Sequence, residues 1–343
     1  MNQKYIIAKF KTVVGLVPQV RTKLTWRDVT GTFLARWTFF RDNYKVDPGL
    51  YALGQPNADS DVFVSANYKM SFDVLRSQLK QINAWILVLD TKGINVWCAA
   101  GKKTFGTAEI VSRIRICQLD KIVKHRKIIV PQLGATGVAA HRVRRDSGFT
   151  VIYGPIRAKD IPEFLNNSMQ ATALMRTVKF SFYDRMVLVP AELVIALRYL
   201  GFVFIAFFFF SGMSSNGFSK DLMLSSGKCA LLNIGLGYIA GTVIGPLLLP
   251  WLPGKSFALK GVFAGLIAIS IGLYFRFIPY PGLEAWAWGL IIVCLASFLT
   301  MNFTGSSTYT SLSGVKKEMK IAVPLQLAGI VIGCGIWIFV KFI

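Results

Sequence analysis

Hydrophobic positions divide this chain into two kinds of pattern. Up to about residue 166 the apolar runs are short and separated by polar stretches, whereas beyond residue 186 they lengthen to about membrane-crossing size. In the first part, residues 49–53, 62–66, 84–90, 127–130 and 149–153 read as strands. Between them, residues 71–82 read as a helix with Ser71 as N-cap and Asp73 in its first turn. Further helices are predicted over 107–119 and, after Pro155, over 160–166. Pro56, Asn57 and Asp59 mark a polar turn, and Trp26, Phe33, Trp37, Phe39 and Phe40 suggest a packed lead-in. Strands alternating with helices predict an α/β, Rossmann-like domain with a mostly parallel sheet, ending near residue 166.

Residues 167–185 form an amphipathic linker carrying Arg176, Lys179 and Arg185. An α-helical transmembrane domain is expected over 186–343, with five spans at about 187–210, 229–249, 257–277, 285–303 and 321–341, each near the roughly 20 apolar residues needed to cross a bilayer. With the amino-terminal domain inside, the inner flanks hold Arg176, Lys179, Arg185, Lys255, Lys260, Lys316, Lys317 and Lys320. The outer flanks hold only Lys220, Lys228, Arg276 and Lys341. The excess of inner positive charge places the first domain in the cytoplasm and the carboxyl terminus outside a cytoplasmic membrane. Glu192 and Arg198 are the ionisable residues of the first span, open to a functional role or to snorkelling toward the interface. The only early apolar run, Tyr5 to Phe10, is interrupted by Lys9 and too short for a secretory signal, so none is expected.

Composition sharpens this division. The 343 residues are 53% hydrophobic, with a mean hydropathy of +0.49, too apolar for an ordinary soluble protein. The formal charge is +22, and it is unevenly spread. Up to Arg185 there are 29 basic and 13 acidic residues, against 10 and 4 in the remainder. Clustered cations suit nucleic acid, but no basic motif interleaved with aromatics is present, and no nucleic-acid partner is expected. An anionic leaflet, an acidic redox partner or an anionic methyl donor suits the charge instead. The densest basic stretch, Lys121 to Lys127 with Arg142, Arg144 and Arg145, reads as a solvated face or as a docking face.

Five cysteines stand at 98, 117, 229, 294 and 334 with no C-x-x-C pair, which excludes a structural zinc site or an iron–sulfur cluster built from that spacing. Cys98 stands apart. It lies in Asn95-Val96-Trp97-Cys98-Ala99-Ala100-Gly101-Lys102, just after the strand of residues 84–90, on a segment bounded by Gly93 and Gly101. A thiolate donates strongly to a soft or borderline metal, and small residues at 99–101 let backbone approach a large flat ligand. The other reading is a small buried hydrophobe, as most free cysteines are. Ligands of such sheets bind beyond the carboxyl ends of the strands. Ser65 lies at the end of its own strand, so it and Cys98 could reach one crevice. Gly134, Ala135, Thr136 and Gly137 form a glycine-containing loop whose amides could cradle a phosphate.

The run Trp85 to Lys102 resembles the corrinoid-contacting segment of the mercury-methylating corrinoid proteins. These are similar in turn to the corrinoid iron–sulfur proteins of the acetyl-CoA pathway, whose related Ala-Ala-Gly-Lys segment lacks the cysteine. The resemblance extends over Val62 to Lys69, Pro131 to His141 and Tyr153 to Ala158, and over the membrane part in kind. It implies a cobalamin-type corrinoid bound by residues 95–102, with Cys98 as lower axial ligand to cobalt. It further implies contact of Ser65 near the cysteine, an alternative being an exposed hydroxyl in a turn. Gly134, Thr136 and Gly137 would then hold the phosphate of the nucleotide tail.

The activity implied is transfer of a methyl group from methyl-Co(III) to Hg(II), forming methylmercury, with the thiolate loosening the cobalt–carbon bond. The methyl would derive from a methyl-tetrahydrofolate-type donor or its methyltransferase. Because the chain has no cluster cysteines, a ferredoxin-like iron–sulfur protein is implied as electron donor. Neither His125 nor His141 sits in a D-x-H-x-x-G motif, and Lys103 stands where a glycine is expected in relatives. Two other functions stay open: a corrinoid methyl carrier for another acceptor in one-carbon metabolism, and a membrane scaffold or transporter with a cytosolic domain.

Overall fold

The computed structural model describes residues 5–305, 307 and 312–343, with the side chains of Arg198 and Leu312 outside the described set. The reading of Arg198 as an intramembrane ion therefore lies outside the described residues. The chain forms two compact units, one of Met1–Ala35 and Phe39–Lys179, the other of Arg36–Thr38 and Phe180–Ile343.

The first unit opens with a hairpin, β1 (Ile6–Thr12) and β2 (Gly15–Val20), followed by α1 (Trp26–Arg36) and β3 (Gly49–Leu53). Next come β4 (Val62–Ala66), α2 (Lys69–Gln78), β5 (Ala84–Leu89), α3 (Val96–Gly101), α4 (Thr107–Ile116) and α5 (Leu119–Ile122). The unit closes with β6 (Lys127–Val130), α6 (Ala140–Ser147), β7 (Thr150–Tyr153) and α7 (Ile161–Asn166). One seven-stranded sheet runs in the order β1-β2-β3-β5-β4-β6-β7. The strands β5, β4, β6 and β7 are mutually parallel, while β3 runs antiparallel to β5 and β1 antiparallel to β2. With β2 parallel to β3, four of the six strand pairings are parallel, so the sheet is mostly parallel as expected, with two antiparallel pairings toward the β1 edge.

Side chains of a strand alternate between faces, so each strand feeds two cores. Val62, Val64, Trp85 and Leu87 pack beneath α4, α5 and α6 with Ile110, Ile114, Leu119 and Val143. Phe63, Ile86 and Val88 pack on the opposite face with Phe72, Leu75 and Leu79 of α2 and Ile161 and Phe164 of α7. With helices on both faces, β4 connects to β5 on one side and β6 to β7 on the other. The topological switch falls between β4 and β6, where a crevice opens at the carboxyl edge.

Several elements differ from the sequence pattern. The hairpin at 6–20 is absent from the expected strands, although Lys9 and Lys11 alternate with apolar residues as on a half-exposed edge strand. The helix α2 starts at Lys69, two residues before the expected cap Ser71, because Lys69 is drawn into a buried ion cluster. Most of the aromatic lead-in is not packed inward: Trp26, Phe33, Phe39 and Phe40 are exposed, on and just beyond α1, while Trp37 is half-buried.

That ion cluster fastens α1 to α2. Lys69 Nζ lies 2.7 Å from Asp28 Oδ1 and also pairs with Asp73. Arg76 reaches Asp73 Oδ1 at 2.7 Å and Asp28 Oδ2 at 3.0 Å, and donates to the carbonyl of Arg21 at 2.6 Å. Burial opposes ionisation of Asp28, but hydrogen bonds from Lys69 and Thr25 outweigh it and hold the carboxyl well below the usual range. At Asp73 burial wins and raises the carboxyl against the same cations.

The second unit is helical: α8 (Phe182–Met186), α9 (Val189–Phe210), α10 (Lys220–Ile239), α11 (Gly245–Leu248), α12 (Phe257–Tyr274), α13 (Leu283–Asn302) and α14 (Leu312–Phe339). A π-helical turn, Ala240–Ile244, joins α10 to α11. Among the described residues, four helices are long and apolar enough to cross a membrane: Lys220–Leu248, Phe257–Tyr274, Leu283–Gly305 and Ser313–Phe339. A bent pair, Phe182–Leu197 with Tyr199–Phe210, makes a fifth if taken as one span. The helices α12 and α13 meet through small residues. A Cβ on Gly261 would come 2.5 Å from the Ser297 Cα, and one on Gly265 2.8 Å from the Val293 Cα, so both glycines permit backbone contact.

Removing one partner of a buried ion cluster strands the others, so Arg76→Ala should lose about 3–5 kcal/mol of stability, read by denaturant unfolding. Asp28 has a folded pKa below its unfolded value of about 3.9, so its pairing stabilises above that pH and is lost as pH falls toward the folded value. The stability gap between wild type and Asp28→Asn should therefore be full at neutral pH and close below about pH 4.

Candidate functional site

The crevice at the switch point measures about 410 Å³. Its floor and walls include Val64 and Ser65 of β4, Val74 of α2, and Pro131 and Leu133 after β6. Pro155 and Ile156 after β7 complete one side, and Asn95, Val96 and Trp97 form the other. Not one lining residue carries a formal charge. This is a surface for an apolar body oriented by a few polar groups.

How the chain reaches α3 is set by Asn67, just past β4. Its side chain is buried, and its Oδ1 accepts from the Thr91 amide at 3.1 Å, the Thr91 hydroxyl at 2.8 Å and the Gly93 amide at 2.9 Å. The one Thr91 hydroxyl proton is shared between that oxygen and the Ile94 carbonyl, 2.7 Å away. Lys92 and Gly93 are both left-handed, with φ of 60° and 73°, which turns the chain sharply after β5. Asn95 then caps α3, its Oδ1 accepting from the Cys98 amide at 2.9 Å.

The helix α3 is two-faced. Ala99 and Ala100 are buried in the core, whereas Trp97 and Cys98 are exposed, with Trp97 39% accessible. Cys98 is thus not the buried hydrophobe that most free cysteines are. It stands on the helix whose first residues line the crevice, but is not itself a lining residue. Ser65 is buried at 3% accessibility and does line the crevice, so it is not an exposed turn hydroxyl. Gly101 and Lys102 close α3 on its outer side, where Lys102 is exposed.

The glycine loop after β6 serves α3 from beneath. A Cβ on Gly137 would lie 2.2 Å from the Phe105 carbonyl oxygen and 3.1 Å from the Ala100 Cα, and one on Gly134 2.5 Å from the Phe105 ring. Amides of Gly134, Ala135, Gly137 and Val138 donate to the carbonyls of Pro131, Gln132, Gly134 and Ala135. These amides are engaged in the loop's own turns, and neither glycine nor the exposed Thr136 lines the crevice. What the structure gives Gly134 and Gly137 is a packing role rather than an open anion cradle.

Sequence reasoning passed over Asn67, Thr91 and the capping role of Asn95. The pattern Ala66-Asn67-Tyr68 at a strand end, with Thr91 and Gly93 after the neighbouring strand, was the available signal. Among the described residues, no group of three or more His, Cys, Asp or Glu side chains could hold a metal ion, so Cys98 would act as a single donor.

Comparison with known proteins places this region in a definite context. Residues 28–165 match the family described as CO dehydrogenase/acetyl-CoA synthase delta subunit. The acetyl-CoA decarbonylase/synthase complex subunit gamma of Archaeoglobus fulgidus is 27% identical over 145 residues, covering 41% of this chain and 30% of that protein. Its counterpart in Methanothermobacter thermautotrophicus is 30% identical over 125 residues, covering 35% and 26%. The corrinoid/iron-sulfur protein large subunit of Moorella thermoacetica is 29% identical over 122 residues, covering 35% and 27%. The chain spans 30% or less of the length of these relatives.

Two substitutions test the local architecture. Asn95→Ala should cost about 1 kcal/mol of α3 stability, seen as hydrogen exchange roughly fivefold faster in residues 98–101. Asn67→Ala leaves the Thr91 and Gly93 amides without their acceptor, while the Thr91 hydroxyl keeps the Ile94 carbonyl, and should cost about 1–3 kcal/mol, read as a lowered unfolding midpoint.

Proposed function

We propose that the first unit is a corrinoid-binding methyl-transfer module in which the Cys98 sulfur ligates cobalt, and that the acceptor is Hg(II). The observation that carries this reading is an exposed cysteine on the capped helix α3, beside an uncharged crevice at the sheet's carboxyl edge. When bound, a corrinoid supplies a cobalt centre that passes a methyl group to an acceptor, and a sulfur ligand favours its release as a carbanion equivalent to a soft electrophile.

The residues present fit such a group. A flat, largely apolar macrocycle needs an uncharged wall, which Val64, Val74, Trp97, Leu133, Pro155 and Ile156 supply. It also needs backbone that lies close; Gly101, exposed at the end of α3, carries no bulk, whereas Ala99 and Ala100 face the core rather than the bound group. The Asn95 cap and the Asn67 brace hold the Cys98 backbone in one position, so sulfur is presented with little ordering left to do on binding. Ser65 offers a hydroxyl inside the crevice, positioned to orient a polar edge of the bound group.

An electron donor of the ferredoxin type and a methyl-tetrahydrofolate-type donor, or its methyltransferase, complete the reaction. The apolar helices of the second unit and the inner excess of basic flanks support anchoring in a cytoplasmic membrane, the first unit inside and the carboxyl terminus outside. A second reading, a methyl carrier for an acceptor of the acetyl-CoA pathway, is favoured by the names of the relatives. A sulfur ligand separates the two, since a carrier for that pathway has no need of one.

The test is the visible spectrum of the full chain loaded with cobalamin, for wild type and Cys98→Ala. Bands that shift on removing the sulfur support ligation, and methylmercury formation should fall roughly 100-fold or more, beyond the ~10–100-fold typical of outer-shell partners. Identical spectra, with bound corrinoid in both, sink the ligand assignment and return the carrier reading to the front.

A further inference from the structure

The helix α1 is amphipathic in the inverted sense. The side it turns to the protein is small or polar: Asp28 is 6% accessible and Ala35 1%, and a Cβ on Gly31 would come 2.6 Å from the Tyr44 hydroxyl oxygen. The side it turns outward carries Trp26 at 78%, Val29 at 49%, Phe33 at 59% and Leu34 at 39%. At 100° per residue these four fall within an arc of about 140° opposite Asp28, Gly31 and Ala35. The helix cannot roll to bury them. Asp28 is held between Lys69 and Arg76, and turning it outward would strand two buried cations. Phe39 and Phe40, just past the helix, extend the exposed apolar surface.

Around this stripe the exposed charges are mostly cationic. Lys23, Arg27, Arg41 and Lys45 are exposed, against Asp42 and Asp47 as exposed acids, since Asp28 is buried in its ion pairs. Aromatic and aliphatic residues edged by Lys and Arg are the chemistry of the lipid–water interface, where rings enter the headgroup layer and cations meet lipid phosphates. The same chain carries helices long and apolar enough to cross a bilayer, so a leaflet is tethered to this helix by covalent connection. We propose that α1 lies in the plane of an anionic membrane surface, with Trp26, Val29, Phe33 and Leu34 entering the leaflet and Lys23, Arg27 and Arg41 contacting lipid phosphates. The proposal rests on reading the second unit as membrane-spanning and is independent of the corrinoid assignment.

The test uses the full chain in vesicles of phosphatidylcholine with phosphatidylglycerol, with p-benzoylphenylalanine replacing Val29 or Phe33 and, as a control, the exposed Ser112 of α4. After illumination, mass spectrometry should find lipid adducts several-fold more abundant at positions 29 and 33 than at 112. Combining the label with Lys23→Gln, Arg27→Gln and Arg41→Gln should lower the adduct yield in anionic vesicles and leave it unchanged in pure phosphatidylcholine. Adducts to polypeptide alone, whether the same chain or a second copy, or a lipid yield no greater than at 112, overturn the proposal. Carbonate extraction separates the two levels of failure. A chain that stays with the membrane without lipid adducts defeats the α1 assignment only, whereas release of the chain defeats the spanning reading and this proposal with it.

Discussion

Three donors converge on the side-chain oxygen of Asn67, and the geometry of the crevice depends on them. The two strands β4 and β5 are neighbours, yet their carboxyl ends diverge into different elements, one into α2 and the other into α3. Asn67 joins those ends by accepting from Thr91 and Gly93. A buried side-chain amide satisfied in this way is costly to disturb, because each stranded donor retains its full desolvation penalty. The left-handed pair Lys92 and Gly93 becomes tolerable only because the turn is held from below. Through this turn Asn95 reaches the position from which it caps α3, and Cys98 acquires its place on the exposed side.

The support is two-sided. From beneath, Gly134 and Gly137 allow the loop after β6 to press against Phe105 and the backbone of Ala100, contacts that a Cβ would forbid. Small residues thus occur on both partners of the contact, the alanines on α3 and the glycines on the loop. The consequence is a short helix with a rigid footing and a free outer face, a suitable mount for a group that must meet something large.

A different constraint governs the amino-terminal side of the unit. Asp28, Lys69, Asp73 and Arg76 form a buried cluster of two acids and two bases, in which each charge has two opposite neighbours. Desolvation offsets much of the attraction in such a cluster, so its plainest consequence is geometric. The constraint is rotational. Fixing Asp28 inward fixes the apolar stripe of α1 outward, so a feature of the interior dictates the character of a surface.

The sequence by itself determined the strands from 49–53 to 149–153 nearly to the residue, because runs of branched and aromatic side chains have few other places to go. It also determined the long apolar helices and marked residues 95–102 as the segment of interest, since a cysteine between Trp97 and two alanines is unusual whatever surrounds it. Tertiary structure alone decided the rest. The pairing of β2 with β3 and the antiparallel placement of β3 against β5 join residues distant in the chain, which local periodicity does not encode. Asn67 gains its meaning only from Thr91 and Gly93, more than twenty residues away. The glycines at 134 and 137 look alike as anion binders or packing residues until their neighbours are known. The aromatic residues of α1 suggested burial because hydrophobicity is a property of the residue, whereas exposure is a property of which face the ion cluster holds inward.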